Sequence, residues 1–133
     1  MKKSEQSFTT YFQHWLKDEF LPDKDSCAFA FEIKHTRGKD SFPFSEVKDH
    51  QIKALLAVQT SGLVYKIADD TIGYRPFDCF AMKKCQSYIV IKYNKFFVLI
   101  DVNDFIFEKN NFPRKSLTER RATDIAELVI NTK

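Results

Sequence analysis

Apolar side chains recur at helical spacing near the start of the chain. Phe8, Phe12 and Trp15 lie on one side of a helix predicted from Ser4 to Lys17, which begins at a residue suited to cap its first turn. Glu5 falls on the same side, so its carboxylate is directed toward the apolar side of the helix rather than toward water. A buried carboxylate needs a polar partner, which makes Glu5 a candidate for a functional site.

Residues 27–36 alternate between two kinds of side chain, a pattern typical of a β-strand. One face carries Phe29, Phe31 and Ile33. The other face carries Ala28, Ala30, Glu32 and Lys34. The two alanines leave room above the strand, where a solvent-facing strand more often carries long polar side chains.

The rest of the chain predicts a second helix, a series of strands and a closing helix. Ser45 is expected to cap the second helix, which runs to about Thr60. Ser116 has capping-box spacing with Glu119 for the last helix, whose apolar stripe includes Val129. Strands are predicted at 63–67, 77–83, 87–93 and 95–101, with a helical turn or an edge strand at 102–107. This order predicts one α/β domain over 1–133, with a mixed sheet covered by helices and its parallel pair formed by the strands that flank the second helix.

Composition indicates a folded chain and says little about its partner. Of the 133 residues, 44% are apolar and 29% are charged, which excludes collagen-like, low-complexity and disordered classes. The three cysteines lack CxxC or His-paired spacing, so neither a zinc site nor a disulfide framework is expected. Apolar runs are too short for a membrane span or a signal core, and we expect a soluble protein in the reducing cytoplasm. A net charge of +3 permits a polyanionic partner without requiring one.

Glu32 and Lys34 are candidates for chemistry because residues two apart on a strand project side by side. A divalent hard cation needs oxygen ligands, and a phosphodiester that is attacked by water needs a nearby positive group. The Glu-x-Lys pair supplies one of each. The structural alternative is a solvent-facing ion pair.

A second carboxylate, an amide and several basic residues are available to complete such a site. Asp78 opens a predicted strand that the topology can place beside the Glu32 strand; alternatively, it makes local hydrogen bonds at the strand entry. Gln51 interrupts the apolar stripe of the second helix and is expected to orient the site. These two residues and Glu5 can converge with the Glu-x-Lys pair on a metal and a phosphate. The loop residues that we expect to contact phosphates, unless they are merely solvated, are Arg37, Lys39 and Arg75.

One stretch resembles the catalytic strand, polar loop and following helix of RecU-like Holliday junction resolvases, which belong to the PD-(D/E)XK nuclease superfamily. It is residues 31–58, FEIKHTRGKDSFPFSEVKDHQIKALLAV. The matching positions are Glu32, Lys34, Phe42-Pro43 and His50-Gln51. Further on, SYIVIKYNKFFVLIDVNDFIF and the RKSL at 114–117 are similar to the paired strands and closing turn of the family. Glu5 resembles the helix-borne Glu that related resolvases contribute to their metal site.

The resemblance implies a restriction-endonuclease-like fold and a metal-dependent endonuclease that cuts branched DNA as a homodimer. Its cofactor would be Mg²⁺, with Mn²⁺ as a substitute. Glu32 and Asp78 would hold the metal with help from Glu5, and Lys34 would position the hydrolytic water. Two alternatives stay open: a nuclease fold that binds nucleic acid with little or no cleavage, and a repair or restriction nuclease acting on linear or single-stranded DNA.

The chain departs from the family at the metal-binding aspartate. The resolvases carry it on a strand shortly before the Glu-x-Lys strand, where this chain has only the turn Pro22-Asp23-Lys24-Asp25. Residues 63–86 look inserted relative to the family, which suggests that the aspartate-bearing strand has moved downstream. Asp23 and Asp78 both remain candidates, and Asp78 is favoured because it begins a strand with apolar neighbours.

Overall fold

The computed structural model describes residues 3–25, 28–66 and 77–132, and it describes the side chains of the first helix from residue 7 onward. The helices are α1 (Lys3–Trp15), α2 (Asp49–Ser61), α3 (Val102–Asn111) and α4 (Glu119–Ile125). The strands are β1 (Ala30–His35), β2 (Ser41–Pro43), β3 (Leu63–Lys66), β4 (Cys79–Met82), β5 (Ser87–Lys92), β6 (Phe96–Asp101), β7 (Ser116–Thr118) and β8 (Leu128–Asn131). A π-helical turn at Leu16–Phe20 and a 3-10 turn at Leu21–Asp23 follow α1.

A mixed sheet lies at the centre, with strand order β1-β5-β6-β8. β1 and β5 are parallel, whereas β6 is antiparallel to both β5 and β8. The prediction that the strands flanking α2 form the parallel pair is wrong, because β3 pairs with β4 in a separate two-stranded sheet. The place beside β1 goes to β5 because its apolar run is buried on both faces, while β3 is exposed along its whole length.

Helices cover both faces of the central sheet, and the alternation along β1 determines which side chain meets which helix. The cluster under α1 includes Phe8, Phe12, Phe31 and Ile33. The cluster on the opposite face, under α2, α3 and α4, includes Ala30, Leu55, Phe105 and Ala122. The predicted two faces of this strand are therefore confirmed, and Glu32 and Lys34 lie on the side of the α2 cluster.

Two predicted helix caps are displaced toward the C terminus. Ser45 lies in a 3-10 turn, and α2 begins after Lys48, whose backbone N–H donates to Oε1 of Gln51. Ser116 lies in β7, and the hydroxyl of Thr118 caps α4 instead. The displacement has one cause: β2 and β7 pair with each other before either helix begins. That pairing is non-local, so helical periodicity alone does not reveal it.

Of the two forms predicted for residues 102–107, the structure has the helical one. Residues 102–107 belong to α3, which is capped by the Asp101 side chain accepting from the Asn103 N–H over 2.8 Å. Val129, predicted to lie on the closing helix, is part of β8 at the edge of the sheet. The observed architecture is thus a mixed α/β fold with helices on both faces of a mixed central sheet. Among the described residues, every helix is too short or too polar to cross a membrane.

Candidate functional site

Glu32 and Lys34 lie side by side on β1, as their spacing predicts. The Nζ atom of Lys34 is 3.6 Å from Oε2 of Glu32, and the two side chains are 21% and 28% exposed. Because both groups are partly shielded from water, their charges are screened less than those of a fully exposed pair. The strand therefore presents an oxygen ligand and a cation within one small, accessible region.

Gln51 reaches the same carboxylate from α2. Its Nε2 donates to Oε2 of Glu32 over 3.2 Å, and its Oε1 accepts from the backbone N–H of Lys48 over 2.9 Å. Since each end of the amide has a partner, the orientation of the amide is fixed. Gln51 and Lys34 both contact Oε2, whereas Oε1 of Glu32 has no hydrogen-bond partner within the described ranges.

The loop after β1 holds Arg37 in a left-handed backbone conformation, with φ of 59°. Its backbone N–H donates to Nδ1 of His35 over 2.7 Å, so a neutral His35 carries its proton on Nε2. A left-handed conformation is costly for a residue with a Cβ, and this hydrogen bond helps to offset the cost. The result is a turn that returns the Arg37 side chain toward β1.

A pocket of about 260 Å³ opens over this part of the strand. The residues that line it include Glu32, Lys34, His35, Arg37, Phe42 and Glu46. A water molecule in the liquid occupies about 30 Å³, so the space accommodates a phosphate group together with several waters. With two carboxylates and two permanent cations in its lining, the pocket can contact both a cation and an anion.

Glu46 is the pocket residue that the sequence reasoning missed. It ends the 3-10 turn that joins β2 to α2, and this turn is anchored by the buried side chains of Phe44 and Val47. The turn is also tied to the β7 side, where the Phe44 N–H donates to the Lys115 carbonyl over 3.0 Å. An isolated glutamate in a short connection has no periodicity, so no local pattern could place it near β1.

The expected pairing of the Asp78 strand with the Glu32 strand is not formed. Asp78 is exposed and lies just before β4, which pairs with β3, and the described neighbour of β1 is β5, where Ile89 is opposite Glu32. The pairing expectation failed because a local antiparallel hairpin forms between the two strands that follow α2. The hairpin still borders the site strand at its beginning, since Ala28 shares a second pocket with residues 80–85. A role for Asp78 in metal binding stays a prediction.

The structure does not place the other predicted site residues in the lining of the Glu32 pocket, as far as it describes them. Asp23 lines a different pocket, beside Trp15, and this pocket lies apart from the one at Glu32. Lys39 is exposed, and its backbone N–H closes the loop on the Thr36 carbonyl over 3.3 Å, outside the lining of the Glu32 pocket. Glu5 lies on α1, but its side chain is outside the described part of the structure, and Arg75 lies outside the described residues altogether.

The donor set at the pocket is one suited to a hard cation. Carboxylate oxygens are the ligands that Mg²⁺ prefers, and Mg²⁺ is commonly held by one or two carboxylates with waters and substrate phosphates completing its shell. Within the ranges 3–25, 28–66 and 77–132, no three His, Cys, Asp or Glu side chains form a group able to hold a metal by themselves. Oε1 of Glu32, which is available, therefore fits Mg²⁺ only as one ligand of a shell that waters and substrate phosphates complete.

Comparison with known proteins adds no relative: no protein-family model matches the chain, and no curated protein matches it significantly.

Proposed function

We propose that the protein is a metal-dependent endonuclease that hydrolyses phosphodiester bonds in DNA. The observation that carries the proposal is the arrangement of Glu32, Lys34 and Gln51 beside a pocket that Arg37 also lines. A carboxylate, an ammonium group and a guanidinium around a space large enough for a phosphate are the groups that such hydrolysis uses.

Glu32 would hold Mg²⁺ through Oε1, the oxygen that Lys34 and Gln51 leave available. When bound, the cation would polarise the phosphate and acidify a water molecule. Gln51 keeps the carboxylate in place by a hydrogen bond whose own direction is fixed by the start of α2. This support matters because metal ligands lose affinity when the groups that orient them are removed.

Lys34 would orient the attacking water and offset the negative charge that develops on the phosphate in the transition state. Its ion pair with Glu32 keeps the ammonium group at the pocket before DNA binds. Arg37 would contact a phosphate directly, since a guanidinium offers two parallel donors to phosphate oxygens. These roles need side chains on one strand and its following loop, so they do not depend on the hairpin that carries Asp78.

The finer proposal is a restriction-endonuclease-like fold with selectivity for branched DNA, acting as a homodimer. The mixed α/β architecture and the similarity of residues 31–58 to junction resolvases support it. A symmetric pair of active sites is also the simplest way to cut two strands of a symmetric junction.

The test is cleavage by the purified full-length chain of a four-way junction, a flap, a linear duplex and a single strand, each with Mg²⁺ or with EDTA. We expect products from branched DNA with Mg²⁺ and none with EDTA. Cleavage limited to linear or single-stranded DNA would favour a repair or restriction nuclease. Tight binding of DNA without cleavage under any condition would contradict the enzymatic proposal and favour a nuclease-fold binding protein.

A further inference from the structure

We infer that Glu46 provides the second carboxylate of the cation site at Glu32. The resemblance to junction resolvases implies an aspartate in this role. This inference rests on the proposed function, because it concerns the cation that the proposed hydrolysis requires. It gives the role of metal ligand to Glu46, which belongs to none of the motifs 31–34, 42–43 or 50–51.

Glu46 lies in the same pocket as Glu32. Glu46 and Glu32 line one pocket, whereas Asp23 lines another and Asp78 is outside the lining of both. A cation in the Glu32 pocket therefore shares that pocket with Glu46, and the strand pairing need not change. Asp78 would require its hairpin to approach a strand with which it does not pair.

Both glutamates have carboxylate oxygens available for a cation. Glu46 is exposed and its carboxylate makes no hydrogen bond or ion pair with the described residues. Oε1 of Glu32 is similarly available, while its Oε2 already meets Lys34 and Gln51. A cation would therefore bind without displacing either existing contact of Glu32.

The charges around the pocket also bear on cation binding. Lys34 and Arg37 stand in the same lining as the two carboxylates. A second carboxylate beside these groups adds negative charge, which favours a divalent cation in the pocket. Two carboxylates are also within the usual protein contribution of one or two to a Mg²⁺ site that leaves positions for water and phosphate.

The backbone position of Glu46 is held by the packing of the turn that carries it. The turn that carries Glu46 lies between two buried apolar anchors, Phe44 at 4% exposure and Val47 at 1%. The turn is also joined to β2, which pairs with β7. The backbone of such an anchored turn keeps its place relative to β1, which a ligand-bearing position requires.

The experiment measures Mn²⁺ binding to the full-length chain without DNA, by electron paramagnetic resonance of the free ion. The variants are Glu32→Gln, Glu46→Gln and Asp78→Asn. Asp40→Asn is the matched control, because it removes the same charge from a nearby exposed position outside the pocket lining. We expect Glu32→Gln and Glu46→Gln each to weaken Mn²⁺ binding on the order of tenfold or more, and Asp40→Asn to bind like the parent chain.

Parent-like Mn²⁺ affinity in Glu46→Gln, or no measurable Mn²⁺ binding by the parent chain, would overturn the inference. So would a loss of binding in Asp78→Asn that Glu46→Gln does not share. Failure of the nuclease proposal looks different: Mn²⁺ binding would depend on Glu32 and Glu46 as expected, while DNA would stay intact with either metal.

Discussion

Gln51 and Glu32 are joined by a hydrogen bond of 3.2 Å that links the start of α2 to the middle of β1. The same glutamine also accepts from the Lys48 N–H, so one side chain both caps its own helix and holds the candidate metal ligand. The position of the carboxylate therefore depends on where α2 begins. The capping of α2 and the orientation of the candidate metal ligand thus depend on the same side chain.

Replacing Gln51 with Leu should weaken metal use more than it weakens the fold. The change removes an orienting hydrogen bond, for which a loss in metal affinity on the order of 10- to 100-fold is typical. The measurement is the Mg²⁺ concentration that gives half-maximal cleavage. Lys53→Ala, an exposed change on the same helix, should leave that concentration unchanged. An unaltered Mg²⁺ requirement in Gln51→Leu would contradict the orienting role.

Arg37 should contribute one phosphate contact to DNA binding. Each phosphate contact releases counterions, so Arg37→Ala should lower the slope of log affinity against log salt by about one. Binding is measured with a cleavage-blocked chain over a range of salt concentrations. Arg120→Ala removes an equal charge from an exposed position on α4 and should keep the parent slope. Equal slopes in the parent chain and Arg37→Ala would exclude the contact.

Tyr88 stabilises the far side of the sheet from the pocket, through a hydroxyl that donates to Glu127 over 2.6 Å. Burial first, and then this hydrogen bond and the negative charge of Glu127, raise the pKa of the phenol above its ordinary value of 10.0. Tyr88→Phe should lower the free energy of unfolding by about 1.5–3 kcal/mol at neutral pH, the range for a bond to a charged group.

The pH dependence of that loss has a definite sign. Below pH 10 the phenol is protonated in the folded and unfolded chains, so the full contribution of Tyr88 is present. Above it the unfolded phenol ionises first, and the stability contributed by Tyr88 declines as pH rises. Denaturant unfolding at neutral pH and above pH 10 should show a smaller gap between parent and Tyr88→Phe at the higher pH. A gap that widens would contradict this explanation.

Gly62 separates α2 from β3 in a conformation with φ of +78°. A Cβ at this position would lie 2.5 Å from the carbonyl oxygen of Met82, so an alanine would be both strained and overlapped. Gly62→Ala should lower stability by about 1–3 kcal/mol. Gly38→Ala is the matched comparison, with φ of +84° but a nearest atom at 3.7 Å, and it should cost less. Thermal melting of the two variants decides the matter, and equal costs would count against the overlap with Met82.

The local parts of the fold could be predicted from sequence. The two faces of β1 follow from strict alternation, which one strand displays by itself, and this placed Glu32 and Lys34 together. Gln51 could be identified because it interrupts an apolar stripe on the helix that packs over that strand. These predictions needed only the periods of a strand and a helix.

The parts that failed depend on contacts between distant segments. The partner of β1 is a strand more than fifty residues later, chosen by burial on both faces rather than by order along the chain. The caps at Ser45 and Ser116 were displaced by the pairing of β2 with β7. Glu46 could not be found because its position at the pocket depends on a turn fixed by the same distant pairing.

The most direct test of the central claim compares Mg²⁺-dependent cleavage of a four-way junction by the parent chain and by Glu32→Gln. The substitution keeps the size of the side chain and its ability to bond with Gln51, but it removes the charge that a cation needs. Asp40→Asn is the control for charge, and thermal melting of each protein checks the fold. We predict a loss in rate on the order of 10² to 10³ for Glu32→Gln, the scale for removing one transition-state stabiliser, with parent-like cleavage by Asp40→Asn. Parent-like cleavage by a folded Glu32→Gln would contradict the assignment of the active site to β1.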